Sequence, residues 1–325
     1  RLADDTTPIP YDYLIVAAGS RHAYFGHDAW EPLAPGLKSL EDALEIRRRF
    51  LMAFERAERT DDAAVRTTLT TFVIVGGGPT GVELAGMMIE IVRKAMPRDF
   101  RRVETRKSRV ILVEGGPRLL PSFPEKLSRR ARADLEQLGV EVRTGALVTS
   151  VDSRGVRVGD DFIQSATVLW AAGNQASPLG KLLGAPLDHA GRVLVLPDLS
   201  VPGHPELFVV GDLAAVPRAN GSLVPGVAQG AMQGGVCAAK NILRLIRGEQ
   251  TRPFRYFNKG DMATIGRNRA VADFGWATLA GFPAWLLWVF IHIMYLIGFR
   301  NRAIVILQWA YAYFTFQRGV RLIHD

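Results

Sequence analysis

The run Thr71-Phe72-Val73-Ile74-Val75-Gly76-Gly77-Gly78-Pro79-Thr80-Gly81-Val82-Glu83-Leu84-Ala85-Gly86 constrains this chain more than any other stretch. An apolar, β-branched strand enters a glycine-rich turn and leaves it as a helix, the arrangement that holds the pyrophosphate of a dinucleotide. The glycines do different things: Gly76 permits the tight turn, Gly78 lets a pyrophosphate approach the backbone, and Gly81 packs the helix start against the strand. The free N–H groups of that helix start then face the phosphates. The alternative is a tight strand-to-helix turn without a ligand. The apolar strand ahead of it and the helical continuation through Met88 favour the nucleotide site.

Around this turn the pattern alternates strand and helix, which implies a parallel sheet with right-handed crossovers. A helix is expected from about Pro79 to Lys94, a strand over Arg109 to Glu114, a helix from about Pro124 to Leu138 stopped by Gly139, and a strand over Val140 to Arg143. Residues from about Leu147 to Ile163 are shorter, glycine-punctuated and β-prone, and read as a small meander. Three further buried strands are expected in Tyr11 to Ser20, Ala166 to Asn174 and Leu207 to Asp212. The arginine-rich stretch from Arg98 to Arg109 reads as a loop or frayed helix end, either a solvated surface or a membrane or partner contact.

Glu114 ends the strand that follows the glycine-rich helix, where a carboxylate accepts hydrogen bonds from ribose hydroxyls and repels a 2′-phosphate. That favours NADH over NADPH. A strand-end carboxylate facing water is the competing reading. Glu83, just inside the helix, gains from the N-terminal dipole, and both a capping role and a role beside the nicotinamide stay open.

With 325 residues the chain suits two domains plus an extra element. Its net charge of +8 fits an anionic membrane surface or phosphate-bearing cofactors. No basic stripe interleaved with aromatics appears, so nucleic acid is the poorest partner. The single cysteine, Cys237, excludes an intramolecular disulfide framework, and the 6 histidines show no metal-ligand spacing, so no metal site is expected. Asn220-Gly221-Ser222 matches a glycosylation acceptor and reads as a turn.

The C-terminal end is apolar. From Leu279 to Phe299 there is no Asp, Glu, Lys or Arg, a length that qualifies as a membrane-spanning candidate. Gly281, Pro283 and His292 interrupt it, and a second apolar stretch from Ala303 to Phe316 is too short to span. Arg300, Arg302, Arg318 and Arg321 flank these stretches, which suits a monotopic anchor lying in the lipid interface. Helices of a homodimer interface or of a buried core are the alternative.

Taken together, these motifs resemble the two-dinucleotide flavoproteins of the pyridine-nucleotide oxidoreductase family, and more narrowly the type II NADH:quinone oxidoreductases. Ala17-Ala18-Gly19 is similar to the A-T-G end of the family strand near FAD. Gly76, Gly78, Gly81 and Glu83 match the NADH-binding G-x-G-x-x-G-x-E, and Ala171-Ala172-Gly173 resembles the second A-x-G hinge. Gly211-Asp212-Leu213-Ala214 resembles the G-D-x-A motif whose aspartate binds the ribityl and diphosphate part of FAD. Ala228-Gln229-Gly230-Ala231-Met232-Gln233 resembles A-Q-x-A-x-Q. Gln229 and Gln233, four apart on a helix, would then point together at the isoalloxazine and the quinone.

The resemblance implies an α/β fold with two Rossmann-like dinucleotide-binding domains and a C-terminal apolar helical membrane anchor. An FAD-binding domain is expected over 1–45 and 172–250, an NADH-binding domain over 46–171, and membrane-associating helices over 251–325. The implied activity is hydride transfer from NADH to FAD and on to a membrane quinone, without proton pumping, at the cytoplasmic face of the cell membrane in peripheral or monotopic form. Glu83, Gln229 and Gln233 are the residues expected to shape the reacting sites. Ala18, Gly19, Gly76, Gly78, Gly81, Glu114, Gly173, Gly211, Asp212 and Ala228 are expected to bind the cofactors. The family's first glycine-rich loop for FAD does not occur in this sequence, so a piece of a longer protein is expected. A membrane-attached NADH-binding or redox-responsive module without turnover is the alternative function. A lone Cys237 argues against disulfide reductase and sulfide:quinone chemistry.

Overall fold

A computed structural model describes residues 8–218 and 221–315. The chain forms two compact units. One runs up to Arg21 and resumes over Asn174–Lys259; the other comprises His22–Gly173 and continues from Gly260. These divisions fall at Arg21, Gly173 and Lys259, where the sequence reading set 45, 171 and 250. Residues 22–45 join the second unit because Trp170 draws them in: its backbone N–H donates to the Pro35 carbonyl at 2.9 Å and its indole N–H to the Ala23 carbonyl at 3.0 Å.

The second unit is built on a four-stranded parallel sheet in the order Glu141–Thr144, Arg109–Glu114, Thr71–Val75, Thr167–Trp170. The Thr71–Val75 strand is buried along its whole length, as a strand covered on both faces must be. One face packs against the helices Leu40–Arg59, Pro79–Glu90 and Glu125–Leu138 through Phe54, Phe72, Ile74, Ile89, Leu112 and Leu135. The other face is covered by the antiparallel meander Val148–Asp152, Gly155–Val158 and Asp161–Gln164, together with Tyr24 and Ala34.

The Leu40–Arg59 helix escaped the sequence reading, although its signals are local. Ser39 and Asp42 form a capping box, and Ile46, Phe50, Phe54 and Ala57 recur on one buried face. The Pro79 helix stays α-helical to Glu90 and then widens to a π-helix over Ile91–Ala95, earlier than the expected end at Lys94. The arginine-rich stretch follows as turns. Glu58 accepts the backbone N–H groups of Arg101, Arg102 and Val103 there, which ties this longer crossover to the Leu40–Arg59 helix.

Beyond Gly260 the second unit adds an antiparallel sheet, Asp261–Gly266, Arg269–Asp273 and Thr278–Ala280, which the sequence reading did not foresee. The apolar Leu279–Phe299 stretch is not one helix. It begins in the last of these strands, turns at Gly281 (φ 76°), runs as a helix over Phe282–Met294 and breaks before Gly298 (φ 82°). A second helix spans Phe299–Thr315. Among the described residues no helix is long and apolar enough to cross a membrane. Phe316, Arg318, Arg321 and Asn220 lie outside the described residues.

In the first unit the Leu14–Val16 strand pairs in parallel with His204–Val209, which pairs antiparallel with Ser200–Val201. The Ala228–Ile246 helix buries Gly230, Gly234, Ala238 and Asn241, a stripe of small residues that permits close approach. Asn241 closes the loop that follows: its amide donates to the Asp198 and Arg252 carbonyls and accepts the Arg252 N–H.

Candidate active site

In the second unit the three glycines of the turn meet different surroundings. Gly76 has φ +113°, and a Cβ there would lie 2.6 Å from the Ala171 carbonyl. A Cβ on Gly81 would lie 1.8 Å from the Gly76 oxygen, so the helix start touches the strand end backbone to backbone. Gly78 differs: nothing lies within 4 Å of its Cβ position. No protein contact demands a glycine at 78. The open space lies at the N-cap of the Pro79–Glu90 helix, which no side chain caps and whose first turn has N–H groups without intrahelical partners.

Glu114 closes the turn from the neighbouring strand. Its carboxylate accepts the Gly77 N–H at 2.5 Å and the Gly116 N–H at 2.6 Å. A carboxylate has about four lone-pair sites, so it keeps acceptor capacity for hydroxyl groups while its charge is fixed beside the turn. Glu83, one helical turn in, is partly buried and accepts the Thr264 N–H at 3.2 Å. Burial pushes its carboxyl up to about 6, against the lowering effect of that one hydrogen bond. The Glu83 environment therefore comes partly from the C-terminal sheet, which no local sequence signal connects to the helix. Gly86 makes the contact possible, since a Cβ there would lie 1.7 Å from the Ile265 carbonyl oxygen.

A cavity of about 450 Å³ opens at this turn, lined by Gly76, Gly78 and Glu114 on one side and by Phe25, Trp30 and Trp170 on the other. Sequence reasoning missed the aromatic side. Gly173, three residues after the Thr167–Trp170 strand, lines the cavity with φ +71°.

In the first unit Gly211 has φ +71° and Asp212 follows it; the Asp212 carboxylate accepts the Ser20 hydroxyl at 2.7 Å. Gly19, with φ +64°, precedes Ser20, and the exposed Ala18 lies beside it. Gly211, Gly226, Gly230 and Gly234 surround a space of only about 20 Å³, room for roughly one water. A flavin dinucleotide would lie along this glycine-lined edge rather than inside it. A Cβ at Gly226 would meet the Asp212 carboxylate at 3.2 Å, so the edge is clear of side chains where the carboxylate stands. These features suit a ribityl and diphosphate chain.

Ala228 is exposed at the start of its helix, and Gln229 and Gln233 share one face of it. Their amides are engaged by the chain that follows: Gln233 donates to the Phe257 carbonyl at 2.9 Å and accepts the Phe257 N–H at 3.0 Å, while Gln229 accepts the Lys259 N–H at 3.0 Å. The two glutamines thus hold the Phe257–Lys259 backbone, a partner the sequence did not suggest.

Comparison with known proteins bears on this geometry. The family described as pyridine nucleotide-disulphide oxidoreductase matches residues 1–235, and the NDH2 C-terminal domain matches residues 258–318. The type II NADH:quinone oxidoreductase Ndh of Mycobacterium tuberculosis is 47% identical over 100% of this chain and 72% of its own length. NdhA of the same organism, also a type II NADH:quinone oxidoreductase, is 46% identical over 98% of this chain and 70% of its own. Among solved structures, that of NDH2 from Plasmodium falciparum in complex with NADH matches with a TM-score of 0.88 at 20% identity, covering 98% of this chain and 80% of the other. At that identity the match speaks to the fold.

Proposed function

Because the chain belongs to the type II NADH:quinone oxidoreductases, within the pyridine nucleotide-disulphide oxidoreductase family, we propose that it oxidises NADH and passes the electrons through FAD to a quinone. The observation that carries the reading is the contrast at the turn: Gly76 and Gly81 are required by protein contacts, whereas Gly78 fronts open space at a helix N-cap. Open space, free N–H groups and a clamped carboxylate at Glu114 together suit a pyrophosphate with its adenosine ribose. A 2′-phosphate would meet the Glu114 charge, which favours NADH.

FAD, when bound, supplies the two-electron relay between nicotinamide and quinone. Asp212, Gly211, Gly19 and the Ala228 helix start would hold it along the glycine-lined edge. Glu83 supplies a carboxyl whose proton is exchangeable near neutral pH, and Gln229 with Gln233 keeps the Phe257–Lys259 segment in place for the quinone. The apolar helices at the C-terminal end carry the chain to a lipid surface, with Ile297 89% and Phe299 86% exposed and Arg300 beside them. A monotopic placement suits two helices too short to span.

The test is NADH oxidation coupled to a quinone held in anionic vesicles, with FAD supplied. Turnover that depends on quinone supports the enzyme; NADH binding without turnover supports the non-catalytic module. The Ile297→Asp/Phe299→Asp variant should lose vesicle association and at least tenfold of the activity in vesicles, while keeping activity with a water-soluble quinone. Unchanged vesicle association would place the anchor elsewhere. Both substitutions leave intact the Asp261–Gly266 strand, which packs on the Pro79–Glu90 helix.

A further inference from the structure

The aromatic side of the cavity has a construction of its own. Tyr24 stacks on Trp170 at 5.2 Å, Trp30 meets Trp170 edge-on at 5.6 Å, and His27 lies flat on Trp30 at 4.1 Å with 5° between the planes. The polar handles of the two inner rings are satisfied behind the wall: the Tyr24 hydroxyl donates to the Ala34 carbonyl at 2.8 Å, and the Trp170 indole N–H to the Ala23 carbonyl. The wall is therefore held by ring packing and by hydrogen bonds on its inner side.

Phe25 stands out within it. Its backbone has φ 52°, a left-handed conformation that is uncommon for an aromatic residue, and the residue is 70% exposed. Neither feature serves the core. The ring edge occupies the place a Gly173 side chain would take, with a Cβ at 173 falling 2.5 Å from Phe25 Cζ. Gly173 follows the Thr167–Trp170 strand, with Ala171 and Ala172 abutting Gly76, whereas Glu114 ends the Arg109–Glu114 strand on the opposite side of the Thr71–Val75 strand that enters the turn. If Glu114 marks the adenosine ribose, a dinucleotide crossing the Gly76–Gly81 turn brings its other half towards Phe25.

We propose that Phe25 is a binding residue for the nicotinamide half of the dinucleotide, its ring forming an apolar contact surface that the Tyr24, Trp30 and Trp170 wall supports from behind. This rests on the reading of the Gly76 turn as the NADH site. Such a role accounts for the strained backbone, which turns the ring out of the core and over Gly173.

The experiment compares NAD⁺, which leaves an oxidised flavin unreduced, with ADP-ribose, which lacks the nicotinamide. Binding of each is titrated calorimetrically to the full chain with FAD. Phe25→Gly relieves the positive φ, and Phe25→Asn, which tolerates it, guards against a fold-specific effect of glycine. Both variants should keep the melting temperature of the parent and bind NAD⁺ about five- to tenfold more weakly, with ADP-ribose changed less than about twofold. Phe25→Tyr should restore NAD⁺ binding. Unchanged NAD⁺ affinity in a folded variant, an equal loss for both ligands, or a lowered melting temperature in both variants would overturn the assignment. Failure of the parent chain to bind either ligand would instead remove the NADH site itself.

Discussion

The two glycine-rich regions of the molecule are built differently. At the Gly76–Gly81 turn the missing side chains are replaced by backbone: the Gly76 carbonyl fills the space at Gly81, and the Ala171 carbonyl fills the space at Gly76. At Gly211, Gly226 and Gly230 the nearest atoms to a Cβ stand at 3.3, 3.2 and 3.1 Å, tight contacts that stop short of overlap. The first turn is locked by atoms that cannot move without moving a strand. The second lacks any backbone atom within 3 Å of the Cβ positions, so a methyl group there needs shifts of only a few tenths of an ångström. A glycine motif therefore states a conformational need, and only the packing around it states how costly its loss is.

This difference predicts a graded response. Gly81→Ala drives a Cβ into the Gly76 carbonyl and should cost about 3 kcal/mol of stability, with NADH binding lost; thermal unfolding and an NADH titration measure both. A melting temperature close to the parent's would show that the turn yields more readily than its backbone contacts indicate.

Glu83 sharpens the comparison by probing the helix that the locked turn launches. Its folded-state value, about 6, is raised above the ordinary 4.5 by burial. The folded chain thus binds its proton more tightly than the unfolded chain. Stability from this group falls as pH rises through the window from about 4.5 to 6, and above it the buried charge is a net cost. Glu83→Gln should raise stability above that window by up to about 2 kcal/mol and flatten the slope within it, read from urea midpoints across pH. An unaltered slope would mean that Glu83 titrates as it does in the unfolded chain.

A smaller effect is expected at Glu114, whose carboxylate both clamps Gly77 and Gly116 and faces the ribose position. Glu114→Ala should narrow the NADH over NADPH preference about tenfold, or about 1.4 kcal/mol, in kcat/KM. Identical kinetics with both nucleotides before and after substitution would confine Glu114 to the clamp. The mildest change is Gly211→Ala, where a positive φ and a 3.3 Å neighbour should cost about 1 kcal/mol and weaken FAD retention only a fewfold. If it proved as damaging as Gly81→Ala, the contrast between the regions would collapse.

Much of this molecule is legible in local residues. The buried strand before Gly76, the helix stop at Gly139 (φ 96°) and the glycine-punctuated meander follow from spacing, turn chemistry and β-branching, because each is decided within a few residues. The Leu40–Arg59 helix was equally local, with Ser39 and Asp42 as its signal.

Tertiary structure decided the rest. The Leu279–Phe299 stretch has the composition of a span, yet its first residues pair with Arg269–Asp273 as a strand and Gly298 breaks its end, so hydropathy alone misjudged it. Gln229 and Gln233 sit on one face, as their spacing requires, but what they hold lies more than twenty residues away. The burial that raises Glu83 and the placement of Phe25 likewise depend on segments distant in sequence, the Asp261–Gly266 strand and Gly173. A sequence determines which backbone shapes are accessible at each residue; which groups then meet depends on long-range packing, and burial, shared hydrogen bonds and shifted proton affinities arise only there.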